Sequence, residues 1–136
     1  MKRPLYIMFI DDSQSDRELF EKAIKTIDES IKCILVEEAY SALAYLTVPL
    51  GTLPDYIFLD INMPGMNGLE CLHEIKKYGE LQHIPVIMFT MAQVSSYEHT
   101  AKLLGAAKCF SKSMRFDENV SIIASVIGAK LPIDTH

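Results

Sequence analysis

Leu5-Tyr6-Ile7-Met8-Phe9-Ile10-Asp11-Asp12 is a short, almost wholly apolar run that ends on two acids. Such a run reads as a strand buried on both faces. A second run of the same kind, Asp55-Tyr56-Ile57-Phe58-Leu59-Asp60, again ends on an acid. Lys32 to Glu37, Pro85 to Thr90 and Ala107 to Ser111 complete a set of expected strands. Helical stretches fall between them. Leu19, Phe20, Ala23, Ile24 and Ile27 form one apolar stripe at helical spacing, with Arg17, Glu18, Glu21, Lys22 and Lys25 expected to face water. Ser15 with Glu18, and later Ser95 with Glu98, match the capping-box pattern. Tyr40 to Leu46 reads as a short alanine-rich helix, and Leu69, Leu72 and Ile75 mark a third. Tyr97, Ala101 and Leu104 share one side of a fourth, which Gly105 ends, and Val120, Ile123 and Ile127 mark the last. The stretches 49–54 and 63–68 are turns by their prolines and glycines.

Five repeats of strand then helix predict an α/β fold, a doubly wound parallel sheet with helices on both faces. Ligands in such sheets sit beyond the carboxyl ends of the strands. The chain has 136 residues, enough for one domain and one core. We expect that domain over 4–131, a tail over 132–136 and no output domain. The net charge of −5 weighs against nucleic acid and against an anionic membrane surface. No signal peptide is apparent, and no apolar stretch is long enough to span a bilayer. Cys33, Cys71 and Cys109 are odd in number, widely spaced and without metal-type spacing to the histidines, which suits reduced thiols and a cytoplasmic protein.

The strand ends carry the chemistry. The first ends in Asp11-Asp12, the third in Asp60 and the fourth in Thr90, while Lys112 follows the fifth. A parallel sheet brings all of them to one edge. Each alone is ordinary, and Asp11 or Asp12 could simply cap the first helix. Together they crowd three carboxylates that resist joint ionisation. A divalent cation relieves that repulsion, and hard oxygens suit Mg²⁺. A carboxylate beside the metal, with a hydroxyl and an ammonium at hand, suits a tetrahedral anion and could act as the nucleophile in forming an acyl phosphate.

Phe9-Ile10-Asp11-Asp12-Ser13, the segment Phe58 to Gly68, Phe89-Thr90 and Lys112 resemble, in order, the motifs of the response-regulator receiver family of two-component signalling. The resemblance runs from about Pro4 to Gly128. It implies a flavodoxin-like five-stranded sheet in the order 2-1-3-4-5 and a function as phosphoacceptor rather than enzyme. Asp60 would accept the phosphoryl group. Asp12 and Asp60 would ligate Mg²⁺, with Asp11 helping through water and Asn62 offering its backbone carbonyl. Thr90 and Lys112 would bind phosphoryl oxygens. The donor would be a histidine kinase, a histidine phosphotransfer protein or a small acyl phosphate. The output would be contact with a downstream protein target or onward relay, from a monomer or weak homodimer.

The sequence departs from the family pattern at three places. Met91 follows the threonine where a small residue is usual, Cys109 stands where an aromatic is usual, and Ser113 replaces a proline whose bond is cis. A cis bond before a residue other than proline costs about 2.5–4 kcal/mol, so the Lys112–Ser113 bond is expected to be trans. Alternation along the fifth strand puts Cys109 and Phe110 on opposite faces, so Phe110 cannot stand in for the missing ring. Met91 and Ala92 are expected to govern access of water to the phosphoryl group. Two other functions compete. A degenerate receiver would bind partners without phosphorylation, although all five site residues are present. An aspartate-nucleophile phosphatase would want a second acid two residues after Asp60, where Asn62 stands.

Overall fold

In a computed structural model, residues 3–48 and 51–131 are described; positions 49 and 50 of the expected loop and the tail 132–136 lie outside the described residues. Five strands, β1 (Tyr6–Ile10), β2 (Lys32–Val36), β3 (Tyr56–Leu59), β4 (Val86–Thr90) and β5 (Lys108–Ser111), form one sheet in the order 2-1-3-4-5. Every pairing is parallel. Five helices follow them in turn: α1 (Gln14–Ile27), α2 (Ala39–Thr47), α3 (Gly68–Ile75), α4 (Glu98–Leu104) and α5 (Phe116–Ile127). This is the flavodoxin-like architecture that the alternating pattern and the resemblance imply.

The central strands are apolar throughout because each of their faces carries a core. Met8, Ile10, Ile57, Leu59, Val86 and Met88 pack under α2, α3 and α4. Ile7, Phe9, Phe58, Ile87 and Phe89 pack on the other face under α1 and α5. There Phe20 of α1 stacks on Phe9, with ring centroids 4.2 Å apart and planes 13° from parallel. Phe20 also meets Phe58 at 5.2 Å, and the Phe58 ring stands edge-on to Phe89 at 6.0 Å. Offset and edge-on aromatic contacts of this sort add about 0.5–1.5 kcal/mol each beyond their area. Four rings thus lock α1 to the three central strands. Leu19 is the one member of the expected stripe on this helix that stays exposed.

Both expected capping boxes are absent. Ser13, not Ser15, caps α1, its hydroxyl accepting the Asp16 N–H. α4 starts at Glu98 after a short 3₁₀ turn (Val94–Ser96), with Tyr97 as N-cap and no side-chain cap bond. The Ser95 and Glu98 pair therefore straddles two elements instead of one helix start. A true capping box lies at α3, where Asn67 accepts from the Glu70 N–H and Glu70 accepts from the Asn67 N–H. Arg17 and Lys25 turn their charges to backbone rather than to open water, reaching the carbonyls of Asp11 and Ile31 respectively.

α3 enters against the end of β3 through Gly68, whose N–H donates to the Ile61 carbonyl at 2.9 Å. A Cβ at position 68 would lie 2.1 Å from the Asp60 carbonyl oxygen and 2.7 Å from the Ile61 Cα. Only glycine fits there, and the neighbour is backbone, which cannot swing aside. Gly68→Ala is expected to cost about 3 kcal/mol in urea unfolding, at the top of the overpacking range. A loss under about 0.5 kcal/mol, the level of a neutral surface change, would contradict the close approach.

Candidate phosphoacceptor site

The register of β1 and β3 builds the site. Ile10 pairs with Leu59, and the Asp60 N–H donates to the Ile10 carbonyl at 3.0 Å. The next residue on each strand is therefore an acid. Carboxylate oxygens of Asp11, Asp12 and Asp60 all lie within 4.8 Å of one another. Asp11 is fully buried, Asp60 nearly so, and Asp12 exposed. Thr90 ends β4 with its hydroxyl buried and without a partner among the described residues. The Lys112 N–H donates to the Thr90 carbonyl at 2.8 Å, which ties the end of β5 to the end of β4. Sequence-expected Asp11, Asp12, Asp60, Thr90 and Lys112 thus meet at one edge of the sheet. Asn62 is exposed in the loop just after Asp60.

The charge balance is specific. Lys112 donates to Asp11 Oδ2 and, at 2.8 Å, to Asp16 Oδ2, while Asp60 Oδ2 stands 3.9 Å away. The other Asp11 oxygen accepts the Ser13 N–H at 2.9 Å. Burial holds the Asp11 carboxyl above its ordinary value, against the opposing pull of Lys112 and of the Ser13 amide. Burial by itself pushes the Lys112 ammonium down, but its bonds to Asp11 and Asp16 and the nearby charge of Asp60 prevail, and it lies above the usual lysine value. Asp16 has no place in the sequence-based set. It lies 96 positions from Lys112, and nothing in a local pattern joins the two.

The loop after Lys112 is held from α5. Asn119 accepts the Ser113 N–H at 2.8 Å and donates to the Ser113 carbonyl at 3.0 Å. The Ser113 hydroxyl donates to Glu118 and accepts the Arg115 N–H. No cis peptide bond occurs among the described residues, so the Lys112–Ser113 bond is trans, as expected. Cys109 and Phe110 face opposite cores, also as expected. The aromatic near Cys109 is Tyr97, buried at the start of α4, with a hydroxyl that has no partner among the described residues and that burial and neighbouring negative charge push up to about 12. Met91 is exposed and Ala92 half-buried. Met91 lines a groove of about 430 Å³ between α1 and α5, together with Leu19, Phe116, Lys112 and Met114. Among the described residues all three cysteines are free, Cys71 buried and the others half-buried, and no helix is long and apolar enough to cross a membrane.

A parallel α/β sheet with an acid pair, a third acid, a hydroxyl and a lysine at its carboxyl edge defines a receiver. The family model of the response regulator receiver domain matches residues 7–124, and the chain belongs to that family, which serves two-component signalling. Its relatives include response regulator Rcp1 of Synechocystis sp., 31% identical over 104 residues that cover 70% of this chain and 71% of Rcp1. The polar-differentiation response regulator DivK of Brucella anthropi is 28% identical over 126 residues, covering 92% of this chain and 98% of DivK. Among solved structures, the phosphorylated cyanobacterial phytochrome response regulator RcpA superposes with a TM-score of 0.83 at 24% identity, over 96% of this chain and 99% of that one. The Mn(2+)-bound form of Rcp1 gives 0.81 at 24% identity, over 96% of this chain and 100% of the other. At these identities the structural likeness speaks for the fold.

The carboxylate cluster suits a divalent cation. Its donors are hard oxygens, three acids share one small volume, and a single lysine cannot balance them. Both Asp11 oxygens are already engaged, by Lys112 and by the Ser13 amide, whereas Asp12 is exposed to solvent. Asp12→Asn is therefore expected to weaken Mg²⁺ binding by more than Asp11→Asn does, although loss of an indirect contact can itself cost about tenfold or more. Titrating Mg²⁺ into the two variants by NMR or calorimetry ranks them; equal or inverted losses would contradict the assignment.

Proposed function

We propose that this receiver takes a phosphoryl group onto Asp60 from a histidine kinase or histidine phosphotransfer protein, with Mg²⁺ bound, and signals through a downstream protein target or by relay. The observation that carries this is the Asp60 carboxylate, at the edge shared with Asp11, Asp12 and Lys112 and without a hydrogen bond from that lysine. A nucleophile with a free oxygen beside a buried ammonium is suited to attack on phosphorus. An Asp60 oxygen forms the new bond to phosphorus as the bond to the donor's nitrogen or oxygen breaks, and that electron pair leaves with the donor. Magnesium, held by Asp12, Asp60 and the Asn62 carbonyl with Asp11 outside, would supply positive charge against the phosphoryl oxygens. Lys112 supplies more. The buried Thr90 hydroxyl lacks a partner among the described residues, and such a group is costly to leave unpaired; a phosphoryl oxygen on Asp60 would give it one. Two similar proteins support the chemistry, RcpA being phosphorylated in its structure and Rcp1 Mn(2+)-bound. With acetyl phosphate and Mg²⁺, mass spectrometry is expected to find one phosphoryl group on the wild type, on the peptide holding Asp60, and none on Asp60→Asn. Retained labelling of that variant would remove Asp60 as acceptor.

The same reading assigns Met91 and Ala92 to the lifetime of the phosphorylated state. Hydrolysis needs a water aligned behind phosphorus. Met91 stands exposed in the groove beside Lys112, and its flexible thioether can cover that approach. Ala92 has no polar group to orient a water. A barrier higher by about 1.4 kcal/mol slows decay tenfold. Slow loss of the phosphoryl group is expected in the wild type, and decay about tenfold faster in the double variant Met91→Ala, Ala92→Glu. Following the phosphorylated fraction with time after removal of the donor measures both; identical rates would exclude gating by this pair.

A further inference from the structure

Lys112 has three carboxylates around its ammonium, and it is bonded to only two of them. Asp11 Oδ2 and Asp16 Oδ2, the latter at 2.8 Å, accept from it, while Asp60 Oδ2 stays at 3.9 Å. The two accepting acids differ in what release would cost them. The Asp11 side chain is 0% exposed, so losing Lys112 would leave a buried charge unpaired, a strongly unfavourable change. The Asp16 side chain is 34% exposed, so water can take over its hydrogen bonds. It lies on the wall of the groove between α1 and α5, with open space in front of it. Its carboxylate is not needed to start α1, because the cap is made by the Ser13 hydroxyl to the Asp16 backbone N–H.

We propose that Asp16 is a positioning residue that holds Lys112 back from Asp60 while Asp60 is unmodified and yields the ammonium to the phosphoryl oxygens once they arrive. This rests on Asp60 being the phosphoacceptor. The number of bonds to Lys112 is unchanged in the exchange: one N–H turns from an Asp16 oxygen to a phosphoryl oxygen, and Asp16 becomes hydrated. Asp16 and the phosphoryl group are then competitors for one cation. Weakening the competitor strengthens the phosphorylated state. Were Asp16 merely to aim Lys112 into the site, its loss would have the opposite effect. Release of Asp16 also frees the first turn of α1 from the β5–α5 loop, so that phosphorylation at the sheet edge changes the groove beside it.

The test titrates beryllofluoride, a phosphoryl mimic that adds to a carboxylate, with Mg²⁺ into the full chain and its variants, followed by amide NMR. Asp16→Asn and Asp16→Gln are expected to bind the mimic about three- to fivefold tighter than the wild type, as loss of a partly exposed ionic competitor would give. Asp16→Glu, which keeps the charge, is expected to stay within about twofold of the wild type. Without the mimic, the Lys112 ¹⁵Nζ resonance moves in the two neutral variants and far less in Asp16→Glu. Two neutral replacements, one of them a good helix former, keep the result independent of a folding defect in either. Unchanged or weaker binding in both neutral variants, with the wild type binding normally, overturns the role of Asp16 alone. No binding by the wild type, and no labelling by acetyl phosphate, overturns the Asp60 assignment and the role of Asp16 with it.

Discussion

The parallel pairing of β1 with β3 forces two carboxylates together, and the rest of the site answers that constraint. Once Ile10 lies opposite Leu59, Asp11 and Asp60 must come next, side by side, and burial there resists the charge of Asp11. Lys112 is drawn in from the end of β5, and the Ser13 amide caps the remaining Asp11 oxygen. Arg17 adds a bond to the Asp11 carbonyl. Gly68 lets the next helix close over the Asp60 backbone, where any side chain would collide. In the proposed exchange, an anion at Asp60 takes one Lys112 hydrogen bond from Asp16.

The loop that carries Lys112 shows how the chain meets its departures from the family pattern. Without the proline, the segment after the lysine keeps a trans bond and is clamped by Asn119, which bonds both backbone groups of Ser113. On β5, Cys109 offers no ring, and Tyr97 fills the same core from the start of α4. Its hydroxyl and that of Thr90 are the two buried side-chain polar atoms without a partner among the described residues. Both stand at the ends of the segment that joins β4 to α4.

The strands were legible because the central strands are covered on both faces, so each of them reads as an unbroken apolar run closed by the residue that matters, whereas the strand order came from the family resemblance. Asp11, Asp12, Asp60 and Thr90 could be found from that alone, and Lys112 from its place after β5. Helix starts were less legible. Ser15 with Glu18 has the spacing of a capping box, yet the chain leaves β1 so abruptly that Ser13 already caps α1. Ser95 with Glu98 fails because a 3₁₀ turn intervenes. Asn67 with Glu70, the box that forms, lies in a run that reads first as a turn. Asp16 was hidden for another reason. Its partner arrives from the far end of the chain, and an acid in the first turn of a helix already has a sufficient explanation in the helix dipole.

A crystal structure with Mg²⁺ and beryllofluoride would test whether this carboxylate edge is a phosphoryl-accepting centre balanced by a metal and Lys112. The tetrahedral group is expected on an Asp60 oxygen, with one octahedral cation about 2.0–2.1 Å from oxygens of Asp12 and Asp60 and Lys112 within hydrogen-bond distance of a fluorine. A group bound to any other carboxylate, or a cation that leaves Asp12 and Asp60 untouched, would contradict it.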